Sequence, residues 1–579
     1  MATGRPAFAG TTPLELMENI RHGQPRSIAA INSSVPAEFE RIVKKCLEKD
    51  PARRYQSTAD IAQDINRLRS KKPESLQTRM RLSRWSVAVT LPIVILGIVV
   101  IAYQIYVNKT RTAEQHPLKM LVLPFINMSG DVENEYLSDG ITEELISALS
   151  NVQNMRVVAR TSAFALKGKN IDVRQFGKML DVDRVVEGSV QKVGDRLRVS
   201  AQLVNADGDH VWSNTYDRNI EDVFSIEDEI SGAIARSVTG ELSAGALASP
   251  TKSSTTNIEA YQQYFQARYL WNKRTSSDLT KAIEHFRQTT SLDPNYAPAY
   301  VGIADSFALL ASYEYGVIKP AEAIPQARTA AMKALAINER LPEAHVSLAQ
   351  ILYLFDWDWK GAEAEFKRAI DLNPGYATGH HWYSEFLAAR GRFDESLREI
   401  EAAEMMDPLS LIIQTAHARV LYFARRYDLA IEKYKQAISL EPNFLLAHAG
   451  LGYAYSQKSM HDDALAEFRK AIDIAGPAPV LLGSLGLAEG LSGDKAKALE
   501  LLGQLKRMSS RTYVMPAYLA AIYLGLNDSD QAIMAIGQAY RERSDFMAFL
   551  GVEPAVDKLR SDPRFSDLLS RANIGAVLH

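Results

Sequence analysis

Cysteine is all but absent: Cys46 is the only one in 579 residues. A single thiol excludes an intramolecular disulfide and any cysteine-rich zinc site. Charge of one sign is not in excess either. The 66 basic residues face 69 acidic ones, a net of −3, so no global field draws the chain to nucleic acid and no such partner is expected. Long apolar runs are missing with one exception, which excludes a polytopic membrane protein. Hydrophobic residues at 46% and charged residues at 23% are ordinary for folded protein and exclude a chain disordered throughout. The length exceeds what one compact core supports and predicts several units.

The exception is Trp85–Val107, WSVAVTLPIVILGIVVIAYQIYV, which holds no charged residue over 23 positions. Roughly 20 apolar residues cross a bilayer core, so one transmembrane helix is predicted, with the membrane lipid as a partner. Trp85, Tyr103 and Tyr106 stand near its ends, where aromatic rings suit the interface. Before it come Arg67, Arg69, Lys71, Lys72, Arg79, Arg81 and Arg84; after it, only Lys109, Arg111 and Lys119. The positive-inside rule then places 1–84 in the cytoplasm, with 71–84 a basic juxtamembrane segment, and 108–579 outside. The exported part contains no cysteine and the lone thiol sits on the reducing side, which agrees with a bacterial inner-membrane, single-pass location.

Residues 1–70 carry helical stripes: Leu14, Met17 and Ile20, then Phe39, Ile42, Val43 and Leu47, then Ile61, Ile65 and Leu68. The strings GRPAFAG and VPAEFERIVKKCLEKDPARRYQSTADIAQDINRL resemble the end of the bacterial Ser/Thr protein kinase catalytic domain, most specifically from Cys46 to Ser57. The Gly-rich phosphate loop, the Val-Ala-Ile-Lys strand, the His-Arg-Asp loop and the Asp-Phe-Gly motif of that family are missing, so nothing is left to hold ATP or magnesium. In the family, the arginine matched by Arg54 pairs with a glutamate that is also missing; Arg54 is therefore expected in solvent. The resemblance implies the C-terminal portion of a receptor-type kinase, truncated within its lobe. A small three-helix domain is the other reading.

Residues 118–243 alternate strand and helix patterns. Met120 to Val122 form a continuous apolar strand, as a sheet covered on both faces requires. Leu197, Val199, Ala201 and Leu203 alternate with polar residues, which puts one face of that strand in water. Gly194-Asp195 and Asp207-Gly208 supply hairpin turns. The runs MLVLPFINMSGDVENEYLSDGITEELISALS, VVARTSAFALKGK and VVEGSVQKVGDRLRVSAQLVNADGDHVWSNTYDR resemble the N-terminal domain of TolB and its relatives. Such domains precede repeat arrays in bacterial kinases and adenylate cyclases, and the likeness implies no chemistry residue by residue. Asp139, Glu143 and Glu144 form an acidic cluster, read as the solvated first turn of a helix and not as a metal site.

The small polar run SAGALASPTKSSTTN ends at Asn257 and reads as a linker over 244–257. After it a period appears. Pro374, Pro408 and Pro442 close helices at intervals of 34, and Pro294 lies 80 residues before Pro374, two units plus an insertion around Ser312 to Pro320. Small residues recur in register at Ala362 and Ala369, Ala430 and Ala437, Ala464 and Ala471. That period with such alanines resembles the tetratricopeptide repeat, one unit nearly whole in Leu451, Gly452, Tyr455, Ala464, Phe468 and Ala471. About eight repeats are predicted over 258–544, capped by 545–579. The fold class is thus multidomain and mainly α: a tetratricopeptide superhelix with one α/β domain, a transmembrane helix and a short kinase-lobe remnant.

No catalytic, cofactor-binding or metal-ligating set stands out. His380 and His381 are adjacent, so on a helix they point about 100° apart and do not converge on one ion. Trp357 and Trp359 read as packing at an inter-helix turn. The concave face of such superhelices binds peptides or protein segments. Counting back from the closing residues gives the inward positions His381 and Glu385, Arg419 and Tyr422, and Tyr453 and Gln457 as a peptide groove. Removing Arg419 and Tyr453 together is expected to weaken a partner and leave the melting temperature nearly unchanged. The function predicted is a non-catalytic, membrane-anchored sensor or protein-interaction region. The alternatives are the back portion of a complete transmembrane kinase and a soluble assembly scaffold; the oligomeric state stays open.

Overall fold

The computed structural model describes short stretches between residues 28 and 65, most of 118–239, and 255–575. Trp85–Val107, the juxtamembrane segment and nearly all of the linker lie outside the described residues. Among the described residues no helix is long and apolar enough to cross a membrane. The chain divides into two units, Met1–Ala113 and Glu114–His579.

In the first unit, helix α1 (Ala37–Cys46) buries Ile42, and Tyr55 donates a hydrogen bond to Asp64 at 2.7 Å. Arg54 is exposed and its Nε donates to the Glu48 carbonyl at 2.7 Å, an anchor within its own loop.

The second unit opens with a sheet of order β3-β1-β4-β5-β6, with the short β2 also on β4. The strands are β1 (Leu118–Val122), β2 (Ile126–Asn127), β3 (Met155–Val157), β4 (Arg184–Val193), β5 (Arg196–Asn205) and β6 (His210–Asn219). β1 pairs in parallel with β3 and β4, while β4, β5 and β6 form an antiparallel meander. Its turns fall at Gly194 and Gly208, both at positive φ. Helices α2 (Glu135–Ser150), α3 (Arg160–Phe164), α4 (Val173–Leu180) and α5 (Val223–Thr239) complete the domain, with Met120, Leu121 and Val122 wholly buried.

Sixteen helices follow as eight antiparallel pairs. They are α6 (Ile258–Asn272), α7 (Ser276–Leu292), α8 (Ala297–Leu310), α9 (Pro320–Ile337), α10 (Pro342–Ile351), α11 (Trp359–Leu372), α12 (Ala377–Ala389) and α13 (Phe393–Met406). Then come α14 (Leu411–Phe423), α15 (Tyr427–Leu440), α16 (Leu445–Gln457), α17 (His461–Ala475), α18 (Pro479–Ser492), α19 (Lys495–Met508), α20 (Pro516–Gly525) and α21 (Ser529–Arg541). Small residues set the spacing. A Cβ on Gly452 would stand 2.8 Å from the Phe468 ring, so only glycine lets α16 close on α17. Three histidines repeat one clamp: Nδ1 of His345, His380 and His448 faces Glu365, Glu399 and Glu467 at 2.5, 2.6 and 2.6 Å. Nε2 of each faces a turn carbonyl, of Glu339, Pro374 and Pro442. Both ring nitrogens meet acceptors, so each clamp needs a proton on both nitrogens or one on the carboxylate. His381 instead faces Glu385, and the adjacent pair diverges as helical spacing requires.

The two parts of this unit share α6. Its Tyr261 and Phe265 join the core of the sheet domain, while Ala260, Ala267 and Trp271 join that of the array. A helix apolar on opposite faces is one buried between two layers. The acidic cluster of α2 meets this helix, which corrects the expectation of a solvated turn. Glu143 pairs with Arg160 at 2.7 Å and with Arg268 of α6 at 2.8 Å, and buried Asp139 pairs with Lys167. The acids are counter-charges at a junction that helix-turn statistics cannot foresee. Glu144 has no such cation among the described residues: burial and neighbouring Glu143 push it up to about 7.

Candidate functional site

The first helices of the pairs line the inner face of the array, and two segments from outside the repeat pattern fold into it. One is the insertion Ser312–Gly316 after α8. The other is the C-terminal run, with short helical turns at Asp545–Phe549 and Pro554–Leu559. Tyr313 stacks on Phe546 at 5.5 Å, and its backbone N–H donates to Asp545 at 2.9 Å. Its hydroxyl lies 3.0 Å from that of Tyr453, and Tyr518 donates to its carbonyl at 2.6 Å. Phe549 stacks on Phe423 at 5.4 Å. Trp357 stacks on Tyr540 at 5.2 Å, joining the third pair to the eighth, so the superhelix is tied across its own turn.

A cavity of about 310 Å³ remains between these walls. His381, Glu385, Arg419, Tyr422 and Tyr453 line it; Gln457 is half-buried at the end of α16 and does not. All five are bound to one another or to the two infolded segments. Arg419 bridges Glu385 and Glu314, the latter at 2.8 Å, and His381 Nε2 is 3.2 Å from Glu385. Tyr422 donates to Glu553 at 2.7 Å. Burial alone would raise Glu385, yet Arg419 and His381 hold it down at about 2. These pairs change one expectation. Removing Arg419 leaves a carboxylate that is 10% exposed with its main partner gone, so the substitution cannot be neutral for stability.

Sequence reasoning missed Tyr313, Glu314, Tyr353, Asp545, Phe549 and Glu553, which the cavity lining also includes. Only Tyr353 sits at a periodic position, in the register that Tyr455 holds three repeats later. The signals were the break in the 34-residue period at Ser312 and the aperiodic aromatic run after Ser544. Tyr353 lies in a π-helical turn, Leu352–Asp356, wholly buried, and its hydroxyl has no hydrogen-bond partner among the described residues. Asp545 is 5% exposed, and burial with Glu314 nearby pushes it up to about 7. Asp305 is pushed up to about 6 by burial. No group of acids, histidines or cysteines able to hold a metal ion occurs among the described residues.

Residues 420–459 match the TPR repeat family and 446–476 the tetratricopeptide repeat. The helical array is a tetratricopeptide array. The sheet domain matches, over 116–230, the second domain of HilA/YgeH-like transcriptional regulators. The chain is 33% identical over 247 residues to putative adenylate cyclase 3 of Rhizobium meliloti (strain 1021), covering 42% of this chain and 41% of that one. It is 25% identical over 196 residues to human tetratricopeptide repeat protein 6, covering 34% and 36%. The chain thus spans about two fifths of the length of these curated relatives. Among solved structures, the human IFIT1 dimer with m7Gppp-AAAA is similar at 14% identity and a TM-score of 0.40, over 61% of this chain and 80% of that one.

Proposed function

We propose that the tetratricopeptide array is the partner-binding part of a membrane-anchored signalling protein, and that a protein segment enters the cavity on its inner face. The observation carrying this reading is the convergence of all eight repeat pairs, the insertion and the C-terminal run on one cavity lined by charged, aromatic and aliphatic side chains. Its volume lies near the lower edge of the roughly 300–1,000 Å³ usual for ligand pockets, which suits one or two inserted side chains and not a whole helix. The charge-free run Trp85–Val107 supplies the anchor, and its basic flank sets the array outside the cytoplasm. A relative named as an adenylate cyclase over two fifths of its length supports attachment of such a region to a signalling enzyme. The chain itself is read as non-catalytic. The resemblance over Cys46–Ser57 favours a second reading, in which the region regulates an attached Ser/Thr kinase domain; the coding sequence upstream of Met1 decides it.

Selection of random phage-displayed dodecapeptides on the full chain tests the groove. Enriched peptides are expected to lose binding when Ala449, which lines the cavity, becomes Trp, and to keep it when Met405, 74% exposed on α13, becomes Ala. Peptides indifferent to Ala449→Trp would refute it.

A further inference from the structure

The charges on the cavity wall are unbalanced. Five carboxylates, Asp305, Glu314, Glu385, Asp545 and Glu553, face two guanidiniums, Arg274 and Arg419. Arg419 is consumed by Glu314 and Glu385. Arg274 lies over Trp271, its guanidinium carbon 3.6 Å from the ring centroid. Among the described residues Asp305 accepts from Ser347, Asp545 from the backbone of Tyr313 and Phe546, and Glu553 from Tyr422 and the Ala555 N–H, and none of the three makes an ion pair. Burial raises all three carboxyls, offset only in part by the more distant Arg274, Arg419 and Arg425, so a cation brought beside one of them would favour its charged form.

Around Asp545 the wall is aromatic. Phe546 and Tyr313 stack together, and Tyr518 packs edge-on against Tyr313 at 5.1 Å. A carboxylate inside an aromatic enclosure attracts a cation twice, by its charge and through the ring faces. An anionic occupant would meet five acids in a desolvated space.

We propose that the segment entering the cavity is cationic: a Lys or Arg side chain of an extended polypeptide seats against Asp545 beside Tyr313 and Phe546. This rests on the groove reading above and adds the chemistry of the occupant. A lysine ammonium or an arginine guanidinium can then donate to the carboxylate and lie against the rings.

Fluorescence anisotropy on the full chain tests it with three labelled dodecapeptides, alternating alanine with lysine, glutamate or serine, at low ionic strength. The lysine peptide is expected to bind at least about tenfold tighter than the other two. Asp545→Asn, whose amide oxygen still accepts from Tyr313, should abolish that preference. Asp562→Asn removes one charge at the distal α22 (Pro563–Arg571) and should leave it intact. Binding of the lysine peptide equally by Asp545→Asn and the parent would overturn the proposal, as surface attraction only. Equal binding of the serine peptide in competition with a groove-selected peptide would overturn it while leaving the groove reading standing. Failure of all three peptides overturns it as well.

Discussion

Arg419→Ala is the perturbation whose cost the structure sets most directly. Glu385 beside it is 10% exposed and is held at about 2 against an ordinary 4.5. That difference corresponds to roughly 3 kcal/mol of preference for the ionised form. His381 at 3.2 Å stays as a weaker partner, and Glu314 is exposed enough to be solvated in place. The expected loss is therefore about 3 kcal/mol at neutral pH, the lower end of what breaking a buried pair costs. The sign with pH follows. In the parent, the stabilisation by Glu385 is present above its unfolded 4.5 and is lost as pH falls towards 2. In the variant the carboxylate is buried with little compensation, so protonation relieves it and the deficit shrinks as pH falls through 4.5. Urea unfolding at several pH values, followed by circular dichroism, reads this out. Arg419→Met combined with Glu385→Leu should recover most of the loss, since an apolar pair needs no counter-charge. A loss below about 1 kcal/mol, a deficit independent of pH, or a double variant no better than the single one would refute the reasoning.

Gly452→Val should cost about 1–3 kcal/mol, because its Cβ enters the Phe468 ring; a melting temperature equal to the parent's would show that α16 and α17 are not this close. His345 sits between Glu365 and the Glu339 carbonyl; burial lowers its pKa, but these acceptors more than offset that and raise it above 6.5. Its stabilisation is thus full below 6.5 and is lost as pH rises through the folded value, so His345→Gln should narrow the fall in stability between neutral and alkaline pH. An unchanged pH profile in that variant would contradict the charged clamp. A reporter active only outside the cytoplasm should work after His579 and fail after Lys72; the reverse pattern would overturn the assigned topology.

The repeats were legible because a helix pair that must bury its small face against the next one repeats its alanines at fixed spacing, and Ala430, Ala437, Ala464 and Ala471 are all buried. The strand with alternating Leu197, Val199, Ala201 and Leu203 was legible for the same reason at period two. Apart from Tyr353, what escaped has no period. Glu314 meets Arg419 across 105 residues and Glu553 meets Tyr422 across 131, contacts that exist only once the superhelix has curled. The same curl converts the inner strip from a row of solvated side chains into one with its own partners. Likewise Glu143 reads as a helix-turn acid until α6 brings Arg268 to it.

The central claim is that binding takes place inside the repeat array. Hydrogen–deuterium exchange of the full chain, with and without a selected peptide, tests it most directly. The account predicts new protection in α12, α14 and α16 together with residues 545–555, all of which line the cavity. Protection confined to the β4–β6 sheet or to the second helices of the pairs would contradict it.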